Sequence, residues 1–160
     1  MVFLRPAPGV TAFPDDWGAV RMLNRNGIEG LSVGESRTGI RIVARERWNP
    51  LNVIADPGET FVFSCRGRWW DADIESGPEG QPGEGIQRVT GWLKRKREAP
   101  WFCVIGSAGR ERRGLFAIGA GCEWRNPTRT SAQLFAFAND AWLFYWNNRG
   151  EILLDVRRTE

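Results

Sequence analysis

The chain has 160 residues, 42% of them hydrophobic and 26% charged, which fits one ordinary globular domain and excludes two full domains with a linker. It contains no histidine, so a Ser-His-Asp hydrolase and a His-ligated zinc centre are excluded together. The net charge of +3 is modest for a nucleic-acid module, and no apolar run approaches the roughly 18 residues that a membrane span needs.

Met1 to Arg5 is too brief an apolar stretch before Pro6 and Pro8 to form a secretory h-region, so no signal peptide is expected. The chain reads as soluble, cytoplasmic or exported by a non-classical route. Residues 1–39 read as an N-terminal extension, in which Pro14-Asp15-Asp16 predicts the cap of a short helix from Trp17 to Asn24, ended by Asn26-Gly27. From residue 40 to 160 the pattern changes to short strands between turn signals, which predicts an all-β, jelly-roll-like sandwich.

Ile40 to Ala44 alternates apolar and polar residues, and Leu51 to Ala55 is a short run between Asn49-Pro50 and Asp56-Pro57-Gly58-Glu59. Thr60 to Cys65 is the clearest strand, rich in aromatic and β-branched residues. The Gly and Pro run from Gly77 to Gly85 fits no regular element and predicts a loop. Lys94-Arg95-Lys96-Arg97, closed by Glu98 and Ala99-Pro100, reads as a solvated turn between Trp92 and Trp101 rather than a grip for phosphate or anionic lipid, and no nucleic-acid partner is expected. Trp101 to Ile105 and Gly114 to Gly119 predict strands joined by a polar turn at Gly109 to Arg113. Gln133 to Ala138 and Ile152 to Val156 predict the last pair, with Asn139 to Gly150 as the hairpin loop between them. Cys65, Cys103 and Cys122 are odd in number and widely spaced, so they read as buried free thiols.

The segment Asn139 to Gly150 holds the most chemistry. Asp140, with Asn139, Asn147 and Asn148, offers side-chain oxygens beside Gly150, and a hard cation such as Ca²⁺ takes 6–8 oxygen ligands of this kind. The same residues also make ordinary turns. Asp71, Asp73 and Glu75 read as solvated acids or supplementary cation ligands rather than a glycosidase pair, and Ser107 has no histidine to activate it. The expectation is a protein that is not an enzyme.

Five stretches in one order point to a family. Asp56-Pro57-Gly58-Glu59 runs into a strand that ends in Gly67-Arg68-Trp69; Gly77-Pro78-Glu79-Gly80 follows, then Val104-Ile105-Gly106 to Leu115. Phe137-Ala138-Asn139-Asp140 and Asn147-Asn148-Arg149-Gly150 lead into the alternating strand from Ile152 to Val156. Over about residues 40–157 the chain resembles the PA-IL-like, calcium-dependent galactose-binding lectins.

That resemblance implies a galactose-binding-like β-sandwich that binds carbohydrate, a hexose or glycan, through Ca²⁺. It implies Asp140, Asn147 and Asn148 as side-chain calcium ligands, with the backbone carbonyls of Phe144 and Trp70 completing the set. Asp140, Phe144 and Asn147 would also meet the sugar, and Gln81 and Glu84 fall nearest the positions where the family's loop reads the hexose. Phe144 replaces a hydroxyl-bearing residue, and the loop gains Trp142 and Trp146, which either stack on a sugar face or cap the sandwich. The alternative is a structural or protein-interaction sandwich that has lost sugar binding. Assembly into homo-oligomers for avidity is compatible with either reading.

Overall fold

A computed structural model describes residues 27–83 and 85–160, so the helix expected over Trp17 to Asn24 lies outside the described residues. Among the described residues ten strands follow one another: β1 Glu29–Gly30, β2 Ser36–Val43, β3 Asn49–Ala55, β4 Thr60–Asp71, β5 Ile74–Ser76, β6 Val104–Ala108, β7 Leu115–Ala117, β8 Gly121–Arg125, β9 Ala132–Ala138 and β10 Asn148–Arg158. One sheet has the order β1-β3-β9-β6-β7 and the other β2-β10-β4-β5, with β8 pairing the first half of β4. The chain is therefore an all-β sandwich, as expected. Among the described residues no helix is long and apolar enough to cross a membrane.

Period-2 patterning builds the core. Ile152, Leu154 and Val156 of β10 are buried while the residues between them are partly exposed, and Phe61, Phe63 and Cys65 of β4 do the same. The two sheets meet through rings: Phe116 of β7 stacks on Trp124 of β8 with centroids 4.3 Å apart, and Phe63 of β4 lies 5.5 Å from Phe116. β6 is buried at every position because its outer face is covered too. There Cys103, Ile105 and Phe137 form a second apolar cluster with Ala99, packed against Trp48 and Leu115. Strands covered on both faces read as continuous apolar runs, which explains why β9 lacks alternation.

Four expectations change. β9 and β10 do not form a hairpin: β9 lies between β3 and β6, β10 lies between β2 and β4, and residues 139–147 cross from one sheet to the other. The strand expected from Trp101 starts at Val104, because Phe102 takes a left-handed backbone conformation (φ 57°) that interrupts the extended run. The basic run is not a free turn. Arg95 N–H donates to Asp140 O at 3.2 Å, Lys94 bridges Ala141, and the segment closes over the second apolar cluster. The sandwich also takes in residues before 40, since β1 pairs with β3 and Leu31 is buried in the core.

Candidate functional site

The loop 139–147 is fixed at both ends before any ligand is considered. Asn139 is fully buried; its amide donates to the carbonyls of Lys96 (2.8 Å), Pro100 (2.9 Å) and Ala99 (3.2 Å), and its oxygen accepts from Lys96 N–H at 3.0 Å. Asn139 thus ties the basic segment to the loop and is occupied structurally. Tyr145, also buried, donates to Ala138 O at 2.5 Å and accepts from Arg95 at 3.0 Å. Burial pushes its hydroxyl up to about 12, so it stays protonated.

Between these anchors the chain gathers four oxygen-bearing side chains. Asp140 Oδ2 accepts from Asn148 Nδ2 at 3.0 Å, and its Oδ1 accepts from Ala141 N–H at 2.6 Å. Asp71 stands opposite Asn148 in the β4–β10 ladder, and its Oδ1 accepts from Asn147 Nδ2 at 2.8 Å. In each asparagine the amide nitrogen faces a carboxylate. That leaves Asn147 Oδ1 and Asn148 Oδ1 buried with no hydrogen-bond partner. Buried polar atoms are nearly always paired, so two orphaned oxygens on consecutive residues need an account.

Electrostatics marks the same place. Burial raises the Asp140 carboxyl to about 6, Asp71 adds to this by repulsion, and the bonds from Asn148 and Ala141 only partly oppose it. Asp71 is raised by burial as well, against the bonds from Gln87 and Asn147. Two acids that resist ionisation, together with two acceptor oxygens lacking a donor, form a site short of positive charge. Two carboxylates and two amide oxygens are the donor chemistry of a hard cation.

Asp71, Asp140 and Asn147 line a cavity of about 270 Å³, walled by apolar groups that include Trp101, Leu93 and Phe144. This is slightly under the roughly 300 Å³ lower bound usual for small-ligand pockets. Gln87 reaches in from the segment after the Gly-rich loop and donates to Asp71 Oδ2 at 2.5 Å. Gln81 sits further back, donating to Gln87 Oε1 at 3.1 Å. Glu84 lies outside the described residues.

The remaining expected residues divide around the loop. Phe144 lines the cavity and is 48% exposed, and its carbonyl accepts from Asn147 N–H at 3.3 Å. Trp70 is paired on both flanks, opposite Arg149 and Glu75, while its neighbours Asp71 and Ala72 line the cavity. Trp142 and Trp146 are on the other side, beside Arg47 and Arg45, and do not line the cavity. Of the three clustered acids only Asp71 turns inward; Asp73 pairs with Arg149 and Glu75 with Arg68 on the surface. Gln87 was missed by the sequence reading, and Asp71 was read only as one of three equivalent acids. The one local hint for Asp71 is its place at the end of the Gly67-Arg68-Trp69 strand.

The architecture around this site is a two-sheet β-sandwich. No family model matches the chain, and no curated protein matches it. Among solved structures it is similar to the EclA N-terminal domain, a PllA-like lectin, with a TM-score of 0.56 and 18% identity over 77% of this chain and 97% of that one. At that identity the likeness is one of fold.

Proposed function

We propose that the chain is a non-catalytic, lectin-like carbohydrate-binding module in which Asp140, Asn147 and Asn148, joined by Asp71, hold a Ca²⁺ ion that engages neighbouring hydroxyls of a hexose or glycan. The carrying observation is the pair of buried amide oxygens without donors beside two carboxylates. The donor set fits the ion: two carboxylates match its double charge, and the orphaned oxygens gain a partner. The family resemblance names the carbonyls of Phe144 and Trp70 to complete the shell. When bound, the ion supplies open positions that two adjacent sugar hydroxyls fill. The residues of this chain orient those hydroxyls; Asp71 and Asp140 accept from them, and the Phe144 ring gives the sugar an apolar face.

Thermal melts in millimolar calcium and in chelator are expected to differ by several degrees, because an ion that binds only the folded state stabilises it by mass action. Identical midpoints sink the metal site. A glycan array run with and without calcium then tests the sugar, and signal only with calcium is the expected result. A second reading, a protein-interaction sandwich, draws support from Leu143 and Trp146, which are 74% and 71% exposed on the same loop. A calcium-dependent melt with a silent array would favour that reading.

A further inference from the structure

On the other side of the loop 139–147, three hollows run together along one face. The first, about 510 Å³, lies over the basic run between Trp92 and Arg112; the second, about 330 Å³, lies between Trp48 and Trp142; the third, about 500 Å³, reaches Arg45 and Trp146. The first two share Arg95, Arg112 and Leu115, and the last two share Trp48 and Arg110, so they form one groove. Its charge is one-sided. Arg45, Arg47, the run 94–97, Arg110, Arg112 and Arg113 place nine basic groups there against Glu46, Glu98 and Glu111, an excess of six in a chain of net +3. The rest of the molecule is therefore net negative.

Among the described residues, five of the ten arginines outside the groove are ion-paired, and none of the seven in it is. Arg41, Arg66, Arg68, Arg149 and Arg158 each pair with a carboxylate, whereas among the described residues the groove's only ion pair is Lys96 with Glu98 at 3.6 Å. Three groove arginines lie instead on aromatic rings. The Arg95 guanidinium is 3.3 Å from the Phe137 centroid and 4.1 Å from that of Trp48; Arg47 is 4.9 Å from Trp142, and Arg110 is 4.9 Å from Phe135. A guanidinium over a ring keeps its charge and its donors while losing rotational freedom in advance. Backbone carbonyls take part of that donor set, Trp142 O from Arg47 and Arg47 O from Arg95, which fixes the heads further. Unpaired, pre-positioned guanidiniums along a groove match planar or tetrahedral oxyanions.

We propose that this groove binds an acidic glycan, a sugar chain bearing sulfate or carboxylate groups. The oxyanion preference stands on the groove alone; its assignment to a glycan rests on the sugar-binding reading above. One loop serves both places: Phe144 lines the Asp71–Asp140 cavity, and two residues to either side Trp142 and Trp146 edge the groove. A chain whose end occupies the cavity passes over exposed indole faces onto the arginines. Those faces suit sugar rings, which is what favours a glycan over another polyanion.

The test uses the full chain in chelator and, in parallel, in calcium, so that binding at the groove is separated from binding through the cavity. Affinity is measured for heparin, polygalacturonate, neutral dextran and an oligothymidylate at 50 and 300 mM salt. Either acidic glycan is expected to bind, to weaken at least tenfold at the higher salt, and to outcompete both dextran and the oligonucleotide. The variant R110Q/R112Q/R113Q alters three exposed side chains and is expected to lose at least tenfold in glycan affinity at an unchanged melting midpoint. Binding of neutral dextran as tight as that of the acidic chains overturns the proposal, as does the absence of binding at 50 mM salt. Tighter binding of the oligonucleotide overturns the glycan assignment, and undiminished affinity in the triple variant overturns the groove. Each failure is separate from the calcium-dependent melt, which tests the cavity.

Discussion

Asp140 is 1% exposed and carries a carboxyl raised to about 6. A group raised on folding adds stability that is complete below its unfolded pKa, near 3.9, and is lost as pH climbs through its folded value. In calcium-stripped protein the ionised Asp140 therefore opposes folding at neutral pH, by about 3 kcal/mol at the roughly 1.4 kcal/mol of each pKa unit. Asp71 shifts in the same direction and adds to the effect. The difference in urea stability between wild type and Asp140→Asn should therefore change sign or narrow between pH 4.5 and 7, the variant gaining relative to wild type as pH rises. Calcium should reverse the trend, because a cation favours both carboxylates in their charged form. A pH-independent difference in the stripped protein would mean that Asp140 is not desolvated in solution. The half of this site contributed by one loop is legible in the sequence, since Asp140, Asn147 and Asn148 fall within nine positions. Asp71 and Gln87 are not, because they arrive through the β4–β10 register and a bond across the cavity, neither of which leaves a short-range signal.

At the scale of elements, the crossing segment 139–147 and the basic segment 94–101 behave as one unit stitched by Asn139. Its four hydrogen bonds all go to backbone groups of residues 96, 99 and 100. Asn139→Ala strands those groups in a buried place, which should cost about 2–4 kcal/mol of folding stability. Urea unfolding measures the loss, and hydrogen exchange should quicken first at the amides of Arg95 and Lys96. A loss under about 0.5 kcal/mol would show that the segment is held by its apolar contacts alone. The strands themselves are readable from local pattern: β3, β4, β9 and β10 contain the segments expected of them, and β2 and β7 overlap theirs. Their partners were not readable. Alternation says which side chains face inward, but both sheets offer the same interior, so nothing local tells that β9 and β10 join different sheets.

Over the whole molecule, burial is divided between two compartments, and the free cysteines sample both. Cys65 and Cys122 belong to the main core between the sheets, and Cys103 belongs to the small cluster under the basic segment. All three thiols are raised by burial, Cys103 to about 11 and Cys122 to about 12, so each reacts only when its surroundings open. Opening the main core separates the sheets and is a global event. Opening the outer cluster requires only that residues 94–101 lift from β6 and β9, a local event of lower free energy. Thiol labelling followed by mass spectrometry should find Cys103 the fastest, with a shallow dependence on urea, while Cys65 and Cys122 react together with the slope of global unfolding. Calcium should slow Cys103, since the segment that covers it is bonded to Asp140 through Arg95. One common rate and slope for all three cysteines would show that the outer layer opens only when the sandwich does, and the groove it carries would then be as rigid as the core beneath it.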